Sequence, residues 1–461
     1  MTTQACPLSL NNFKDQLRST HCSMASNSKH IVLTTIGSLG DLHPMIALAL
    51  ELKRRGHRAT ILTIEFYRWK IEELGLEFQP IRPDMSPEDP ELMRHIMDLK
   101  KGPEFIIRQL FMPSLRQMYD DLAAAARDAD FIVSSELVFA TQILAEQYNL
   151  RWAMAVLQPL SFFSAYDPSV LAPLPFTKYL HSAPTSFHKI LLGIGKRMSK
   201  SWGQPIADFR RELGLTELAE PLFKDKYSPY LNLAMFSRVL GTPQPDWAAN
   251  TVQTEFVFYD KYDKNSSVAP ELQAFLEAGE PPIIFTLGTS AVHAAGSFYD
   301  ESAKAVARLN RRALLLIGKN TPPANLPANI AAFDYAPFSE VLPRAACVVH
   351  QGGVGTTAQV LRAGVPHLVV PYSFDQPDNA ARVERLGVAR TIGRNAYTAE
   401  RATKQLADLI NNPSYATRAK EVARKVQAED GLKDSCDAIE KQMSLAKGYS
   451  VSSRIKSRSS A

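Results

Sequence analysis

The sequence predicts an α/β fold built from two halves joined by a linker. At 461 residues the chain is longer than one comfortable hydrophobic core allows. Short apolar, β-branched runs alternate with helical segments over residues 30–237, and a second alternating series starts at residue 281. Such alternation is typical of parallel βαβ units. We therefore expect two parallel sheets flanked by helices, facing each other across a cleft.

The first half is predicted to begin with a buried strand, HIVLTT (30–35), whose uncharged composition suits the interior of a parallel sheet. IGSLGD (36–41) is predicted as a loop, followed by a helix, HPMIALALELKRRGH (43–57), that ends at Gly56. Residues 91–126 are predicted to be helical. Further strands are predicted at RATILTI (58–64), LEFQPI (76–81), FIVSS (131–135), RWAMAVL (151–157) and PYLNLAMFS (229–237).

The second half is predicted to repeat this pattern. Residues 414–445 form its last helical segment. Strands are predicted within PPIIFTLGTS (281–290), RRALLLIG (311–318), CVVHQGG (347–353) and HLVVPY (367–372), and a helix within QPDNAARVERLG (376–387). In the first half, residues 158–185 are irregular and rich in proline and aromatic residues. Loops of that length are usually functional when they are not disordered.

These patterns divide the chain into six segments. We expect a disordered N-terminal extension (1–28), an N-terminal domain (29–238), a linker (239–252), a C-terminal domain (253–425), a helix that crosses back to the N-terminal domain (426–446) and a basic disordered tail (447–461).

The composition argues against several classes of protein. The net charge of +5 is concentrated at the ends, with +4 in residues 447–461 and +1 in residues 1–28, so it does not indicate nucleic-acid binding. The four cysteines lack the spacing of a disulfide or zinc framework, which favours a reducing, cytoplasmic location. No apolar run approaches the ~18 residues of a membrane span. The ten histidines are scattered, so we expect no metal site.

The segment VVHQGGVGTTAQVLRAG (348–364) links a predicted strand to a predicted helix through clustered glycines. Glycine costs conformational entropy on folding, so the cluster needs a structural reason. One interpretation is a tight turn and nothing more. The other is a phosphate cradle, because helix N-termini beyond the carboxyl ends of parallel strands attract anions. The donors of such a cradle would come from His350, Gly352, Gly353, Gly355, Thr356 and Thr357.

Residues on both sides of that segment resemble one enzyme family. HQGGVGTT (350–357), AGVP (363–366) and DQPDNAARVERLGV (375–388) resemble the nucleotide-sugar motif of the family 1 glycosyltransferases. TIGSLGDLHPMIALALELKRRGH (35–57) is similar to the acceptor-side signature of the bacterial branch that includes antibiotic, macrolide and rhamnolipid glycosyltransferases, with sterol glucosyltransferases close by. The resemblance spans residues 30–445 and implies the GT-B fold, two Rossmann-like domains facing across a cleft.

The resemblance implies a donor site in the second half. His350, Gly352, Gly353, Gly355 and Thr356 would lie against the diphosphate, and Thr289 or Ser290 would contact it from the neighbouring loop. Tyr335 would stack on the base, and Asp375 with Gln376 would hold sugar hydroxyls. Ala358 and Gln359 occupy the place of the plant enzymes' ribose-binding glutamate, and Phe338 replaces a glutamine aimed at uracil. Both uridine and thymidine donors therefore stay open.

Asp41 is the predicted catalytic base. It follows the first strand, and the resemblance matches it to the base of the bacterial and sterol branch. The alternative is that Asp41 only caps a helix. His43 is a weaker candidate. Plant relatives pair a histidine with an aspartate after a later strand, but Ser135 and then Glu136 stand there, so no dyad is evident. A lone aspartate with an ordinary pKa of about 3.9 would imply a late proton transfer.

The acceptor is expected in the first half. Aromatic residues of the irregular loop are candidates to line an apolar pocket, although each of them could instead pin the loop to the core. These residues are Phe162, Phe163, Tyr166, Phe176 and Tyr179. SFHKILLGIGKRMSKSW (186–202) mixes apolar and basic residues and leaves open a weak peripheral membrane contact, beside the alternative of a helix packed on its own domain.

These observations predict an inverting, metal-independent glycosyltransferase without a cofactor, acting as a monomer. It would move a hexose from a UDP- or dTDP-linked donor to a hydroxyl of a small hydrophobic acceptor such as a flavonoid, sterol, macrolide or lipid. A nucleotide-sugar epimerase on the same fold is one alternative. A non-catalytic nucleotide-binding partner protein is another, although such a protein would be expected to have lost Asp41 or the Asp375–Gln376 pair.

Overall fold

The computed structural model describes residues 28–259 and 268–445, which form two α/β domains. The predicted disordered ends lie outside the described residues, except for Ser28. Each domain is built around one parallel sheet, and the two sheets contain seven and six strands. The two-domain α/β architecture that the sequence predicts is confirmed.

The first domain has the strand order β3-β2-β1-β4-β5-β6-β7. Its strands are β1 His30–Thr34, β2 Arg58–Thr63, β3 Glu77–Pro80, β4 Phe131–Ser135, β5 Trp152–Val156, β6 Leu231–Ala234 and β7 Thr251–Gln253. Its helices are α1 Leu39–Arg54, α2 Arg68–Glu73, α3 Pro90–Ile96, α4 Leu115–Ala125, α5 Ala140–Tyr148, α6 Thr185–Ser199 and α7 Gln204–Glu212. The central strands β1, β4 and β5 are buried along their whole length because helices cover both faces of the sheet.

The second domain has the strand order β10-β9-β8-β11-β12-β13. Its strands are β8 Ile283–Thr286, β9 Ala313–Leu316, β10 Ile330–Phe333, β11 Cys347–His350, β12 His367–Val369 and β13 Ala389–Thr391. Its helices are α8 Pro270–Glu277, α9 Phe298–Leu309, α10 Phe338–Val341, α11 Val354–Ala363, α12 Gln376–Arg385, α13 Ala399–Asn411, α14 Pro413–Gln427 and α15 Gly431–Leu445.

Several predicted boundaries differ from the structure. The first sheet continues into β7, which pairs with β6, so the predicted linker 239–252 ends inside a strand of the first domain. The helical stretch 91–126 is interrupted, because a short turn, Gly102–Glu104, runs into a π-helix, Phe105–Phe111, between α3 and α4. The final helical segment is two helices, α14 and α15.

Helix α1 begins four residues before its predicted start because Ser38 caps it. The Ser38 hydroxyl accepts a hydrogen bond from the Gly40 N–H at 3.2 Å, and Asp41 accepts one from the Ser38 N–H at 2.8 Å. This reciprocal pair is a capping box. Asp41 therefore lies in the first turn of α1, not in the predicted loop.

The C-terminal helix α15 packs on α1 of the first domain. Arg55, at the end of α1, contacts Asp437 at 2.6 Å and Glu440 at 2.8 Å. The Ser435 hydroxyl lies 2.7 Å from the hydroxyl oxygen of Thr254, the residue that directly follows β7. The chain thus returns to its first domain after completing the second, and this return helps to fix the two sheets opposite each other.

Candidate active site

The two domains enclose a cavity of about 1140 Å³ that lies at the carboxyl ends of both sheets. The strand order reverses between β1 and β4 in the first sheet and between β8 and β11 in the second. In open α/β sheets the loops at such a reversal form the ligand crevice. The loops after β1 and β4 line one wall of the cavity, and those after β8 and β11 line the facing wall.

The N-terminus of α11 forms part of the second-domain wall. Its N-cap is Gly353, which has no side chain to offer a capping bond, and Asp375 accepts a hydrogen bond from the Val354 N–H at 3.1 Å. The N–H groups of Gly355 and Thr356 lie in the same first turn, where an α-helix supplies no acceptor of its own. These amides and the helix dipole favour an anion at this end of the cavity.

The glycines of this segment have different roles. Gly352 has a φ of +90°, and a Cβ there would come within 2.7 Å of Val369 Cγ1, so it belongs to the tight turn behind the cavity wall. At Gly355 a Cβ would be 3.9 Å from the Gly40 Cα atom, so here the N-terminal turns of α1 and α11 approach each other across the domains. The tight turn is confirmed, and the phosphate cradle stays a prediction.

The prediction that His350 supplies an imidazole donor to a phosphate is wrong for this structure. His350 is fully buried. Its Nδ1 accepts the Gly352 N–H at 3.1 Å, so its Nε2 carries the proton and donates to His367 Nδ1 at 2.9 Å. Burial lowers the pKa of His350 to about 3, so the ring is neutral at pH 7. His350 therefore supports the turn from behind.

Of the other residues predicted to bind the donor, Gly352 and Thr357 do not line the cavity, and Thr357 is fully buried, so the prediction is wrong for these two. The rest line the cavity. Thr289 and Ser290 follow β8, Tyr335 follows β10 with 63% of its surface exposed, and Gln359 lies on α11. Asp375 accepts hydrogen bonds from Val354 and from Asn379, the latter at 2.6 Å.

Asp375 is partly buried in the cavity wall, and burial raises its pKa to about 7. The Asn379 hydrogen bond opposes this increase, and the charge of Asp41 adds to it. The Gln376 side-chain oxygen accepts the Tyr372 and Ser373 N–H groups at 2.8 and 3.1 Å. Gln376 thereby holds the turn that presents Asp375.

Asp41 lines the opposite wall of the cavity. Its Oδ2 accepts the Ser38 N–H and the Ser38 hydroxyl, at 2.8 and 3.1 Å. Burial raises the pKa of Asp41 to about 6, the Ser38 hydrogen bonds oppose this increase, and the charge of Glu136 adds to it. The ordinary pKa expected for a lone aspartate is therefore revised upward. His43 also lines the cavity and stacks on Tyr259, with the two ring centroids 4.7 Å apart.

Among the predicted acceptor residues, Phe163 lines the cavity, next to Phe223 at 5.2 Å. The prediction is wrong for the rest. Phe162 is buried in the domain and stacks on Trp247 at 4.1 Å. The remaining three lie outside the cavity and are exposed to solvent: Tyr166 is 44% exposed, Phe176 is 56% exposed and Tyr179 is 78% exposed. The first-domain side of the cavity is lined instead by other apolar residues, aliphatic ones such as Met93, Ile96, Ile107, Leu110, Leu171 and Leu192 and aromatic ones such as Phe111, Phe139 and Trp202.

Comparison with known proteins gives consistent matches over both domains. The glycosyltransferase family 28 N-terminal domain matches residues 31–156, and the C-terminal domain of erythromycin biosynthesis protein CIII-like proteins matches residues 304–436. O-mycaminosyltylonolide 6-deoxyallosyltransferase of Streptomyces fradiae is 31% identical over 428 residues, covering 89% of this chain and 96% of that protein. The chain is a family 1 glycosyltransferase.

Two further matches extend this assignment. Sterol 3-beta-glucosyltransferase of Leptosphaeria maculans is 26% identical over 438 residues, which are 90% of this glycosyltransferase and 29% of that longer protein. The crystal structure of glycosyltransferase VinC in complex with DTDP superposes with a TM-score of 0.63 at 21% identity, covering 90% of this chain and all of that one. The structural match supports the GT-B fold.

Sequence reasoning missed a largely buried ion pair in the first-domain wall of the cavity. Glu136 lines the cavity and accepts hydrogen bonds from Lys226 at 2.8 Å and Ser161 at 2.7 Å. Burial alone would raise the pKa of Glu136, but Lys226 and Ser161 bring it below its ordinary value. Glu136 therefore stays anionic and adds to the increase in the pKa of Asp41. Lys226 lies 90 residues from Glu136 in the sequence, so no local sequence motif could predict the pair.

Within residues 28–259 and 268–445, no three His, Cys, Asp or Glu side chains are grouped so that they could hold a metal ion. No helix in those same ranges combines the length and the apolarity needed to cross a bilayer.

Proposed function

We propose that this glycosyltransferase moves a hexose from a nucleoside diphosphate sugar to a hydroxyl of a small hydrophobic acceptor, with inversion at the anomeric carbon and without a metal. The observation that carries the proposal is the placement of Asp41 opposite the N-terminus of α11. A base on one wall and an anion site on the other match the two ends of a sugar transfer.

The donor diphosphate would bind against the first turn of α11. The amide hydrogens of Gly355 and Thr356 would bond phosphate oxygens, and the helix dipole would stabilise the charge that grows on the leaving group. Thr289 and Ser290 would add hydroxyl donors from the facing loop, and Asp375 would bind sugar hydroxyls. The structural relative in complex with DTDP supports a thymidine donor beside a uridine one.

The chemical step would be a single displacement. Asp41 takes the proton of the acceptor hydroxyl as its oxygen attacks the anomeric carbon, and the diphosphate leaves with the electrons of the broken bond. Attack from the side opposite the leaving group inverts the anomeric centre. The pKa of Asp41 of about 6 leaves it mostly ionised at pH 7 and still basic enough to share the proton.

The acceptor would bind among the apolar side chains of the first domain. Such walls recognise lipophilic molecules, and a few polar groups fix their orientation. The names of the two relatives refer to a tylonolide and to sterols, which supports a macrolide-like or sterol-like acceptor here. Cys347 and Cys436 are buried free thiols, which suits a reducing cytoplasm.

A donor and acceptor panel tests this proposal. The purified chain is incubated with UDP- and dTDP-linked hexoses and with flavonoid, sterol, macrolide and hydroxy-fatty-acid acceptors, and products are detected by mass. We expect an α-linked donor to yield a β-linked product by NMR, at a rate that a metal chelator leaves unchanged. A product with retained configuration, or a rate abolished by the chelator and restored by a divalent metal, would contradict the mechanism.

A further inference from the structure

An exposed apolar surface lies on the first domain beside the acceptor part of the cavity. Among the residues that the structure describes, twelve large apolar side chains are exposed, and seven of them fall between positions 174 and 198. We call these seven the 174–198 patch; its members are Leu174, Phe176, Tyr179, Phe187, Ile190, Ile194 and Met198. Contiguous exposed apolar patches on soluble domains usually mark a contact surface.

Helix α6 organises the patch. Phe187, Ile190, Ile194 and Met198 recur at intervals of three and four residues, which places them on one face of the helix. They are 42%, 65%, 53% and 77% exposed, respectively, whereas His188 on another face is 4% exposed. The outward face of α6 is thus apolar where a helix packed on its own domain would be polar.

The charged side chains within the segment that carries the patch are all basic. Residues 168–207 contain no aspartate or glutamate. Their basic residues are Lys178, Lys189, Lys196, Arg197 and Lys200. Lys196 is paired with Glu220 at 2.7 Å, and Lys189 lies 5.1 Å above the Tyr166 ring. An apolar stripe bordered by cations is the combination that binds the surface of an anionic bilayer.

The patch is continuous with the cavity. Ile194 and Met198 belong to the exposed stripe and also line the cavity, and Leu174 does the same from the irregular loop. A surface covering the patch would therefore lie directly against the acceptor part of the cavity. A lipophilic acceptor dissolved in that surface could reach the cavity without crossing water.

We propose that the 174–198 patch docks on an anionic lipid bilayer and that the acceptor enters the cavity from the lipid. The part that concerns the acceptor rests on the proposed function; the docking does not. A second copy of the chain is a poorer occupant, because a two-fold contact would set the same basic residues against each other. The apolar side chains would enter the headgroup region, and the basic ones would contact lipid phosphates.

Vesicle flotation of the full chain tests the docking. Vesicles are made of phosphatidylcholine alone, or of three parts phosphatidylcholine and one part phosphatidylglycerol. We expect flotation with the anionic vesicles, weakening as salt is raised because exposed charges are screened. Flotation that is equal on both vesicles, or absent from both, would contradict the proposal.

Variants separate the patch from other basic surfaces. Phe187→Ser/Ile190→Ser should weaken binding to anionic vesicles by about tenfold, because two apolar side chains no longer enter the lipid. Arg197→Glu/Lys200→Glu should weaken it similarly. Trp69→Ser is the matched control, since Trp69 is 63% exposed outside the patch. If the Phe187/Ile190 variant still floats like the parent, residues 447–461 or another surface bind the lipid and the proposal is wrong.

Two further measurements distinguish the remaining outcomes. Sedimentation without vesicles shows whether the patch pairs two copies: a dimer that Phe187→Ser/Ile190→Ser dissociates would overturn lipid docking. Transfer to a water-soluble acceptor should be unchanged in that variant, whereas transfer to a vesicle-embedded acceptor should fall. If no acceptor is glycosylated while flotation persists, the proposed function fails and the docking stands.

Discussion

The Asp41 carboxylate belongs both to the capping box of α1 and to the wall of the cavity. The two roles are compatible because the hydrogen bonds from Ser38 fix the orientation of the carboxylate. Burial raises its pKa to about 6, which brings the group closer to the operating pH of a general base.

We expect Asp41→Asn to lower kcat on the order of 100- to 10,000-fold, the range that general-base catalysis contributes. Affinity for the nucleoside diphosphate and the thermal midpoint should change little, because the asparagine side-chain oxygen can still accept the Ser38 N–H. Steady-state kinetics and calorimetry with UDP or dTDP measure these effects. Asp300→Asn, on the exposed surface of α9, is the control. Transfer near the parent rate would contradict the assigned role.

The pH dependence supplies a second test of Asp41. A base must be ionised, so transfer by the parent should fall about tenfold per unit as the pH decreases below about 6. In Asp41→Asn the residual rate should lack this decline. Because the pKa of Asp375 is raised to about 7, its own titration is recorded separately with Asp375→Asn. A decline that persists unchanged in Asp41→Asn would assign it to another group.

His350 is expected to affect stability and not catalysis. We expect His350→Ala to lower the free energy of unfolding by about 2–3 kcal/mol, because a buried ring and its bonds to Gly352 and His367 are lost. Nucleoside diphosphate affinity of the folded variant should change much less. Urea denaturation and calorimetry measure the two quantities. Lost affinity with unchanged stability would place the imidazole at the phosphate.

Stability should also depend on pH through this residue. The folded-state pKa of His350 of about 3 is below the ordinary value of 6.5, so the unfolded chain binds more protons between these limits. The contribution of His350 is therefore present above pH 6.5 and decreases as the pH falls toward 3. In unfolding experiments from pH 7 to 5, the stability difference between parent and His350→Ala should shrink. A constant difference would contradict a neutral buried ring.

At the scale of elements, the N-terminal turns of α1 and α11 set the width of the cavity. A Cβ at Gly355 would lie 3.9 Å from the Gly40 Cα atom, an ordinary contact distance, so alanine should fit and a longer side chain should not. We expect Gly355→Leu to lower kcat/KM about tenfold or more by holding the turns apart. Gly355→Ala is the matched control, because alanine and leucine are both good helix formers. Equal activity of the two variants would contradict this close approach.

Most elements could be predicted because parallel strands buried on both faces read as continuous apolar runs. FIVSS matches β4 residue for residue. Three strands were missed: β7, β10 and β13 lie at the edges of their sheets, where most of their residues are partly exposed. Equally short strands inside the sheets, such as β12, are fully buried and could be predicted. The start of α1 was predicted too late because its N-cap, Ser38, lies within the segment that was predicted to be a loop.

The side-chain directions in the site could be predicted only in part. Asp41 and Asp375 follow strands at the crevice, so topology alone brings them to the cavity. His350 ends a strand and faces inward, where His367 from the neighbouring strand meets it. In the irregular loop no periodicity distinguishes Phe163, which lines the cavity, from its neighbour Phe162, which is buried against Trp247.

At the scale of the whole molecule, a buried ion cluster joins the irregular loop of the first domain to α12 of the second. Arg382 is 2% exposed and donates to Asp378 at 2.8 Å, to Asp167 at 2.5 Å and to the Leu240 carbonyl at 2.8 Å. Asp378 also accepts the Val170 N–H at 2.9 Å. Because α12 begins at Gln376, directly after Asp375, the cluster ties the irregular loop of the first domain to the second-domain wall of the cavity.

Arg382→Met should lower the free energy of unfolding by about 3–5 kcal/mol, because it leaves the fully buried Asp378 without a counter-charge. Adding Asp378→Asn should restore part of that loss by removing the unpaired charge. Arg385→Met is the control: Arg385, near the end of the same helix, is 38% exposed and lies 4.0 Å from Asp167, so its loss should cost less than about 1 kcal/mol. Chemical denaturation compares the variants.

Equal losses of unfolding free energy in Arg382→Met and Arg385→Met would mean that the cluster does not hold the domains together. A rise in the KM for the sugar donor in Arg382→Met, but not in Arg385→Met, would show that the cluster also positions Asp375.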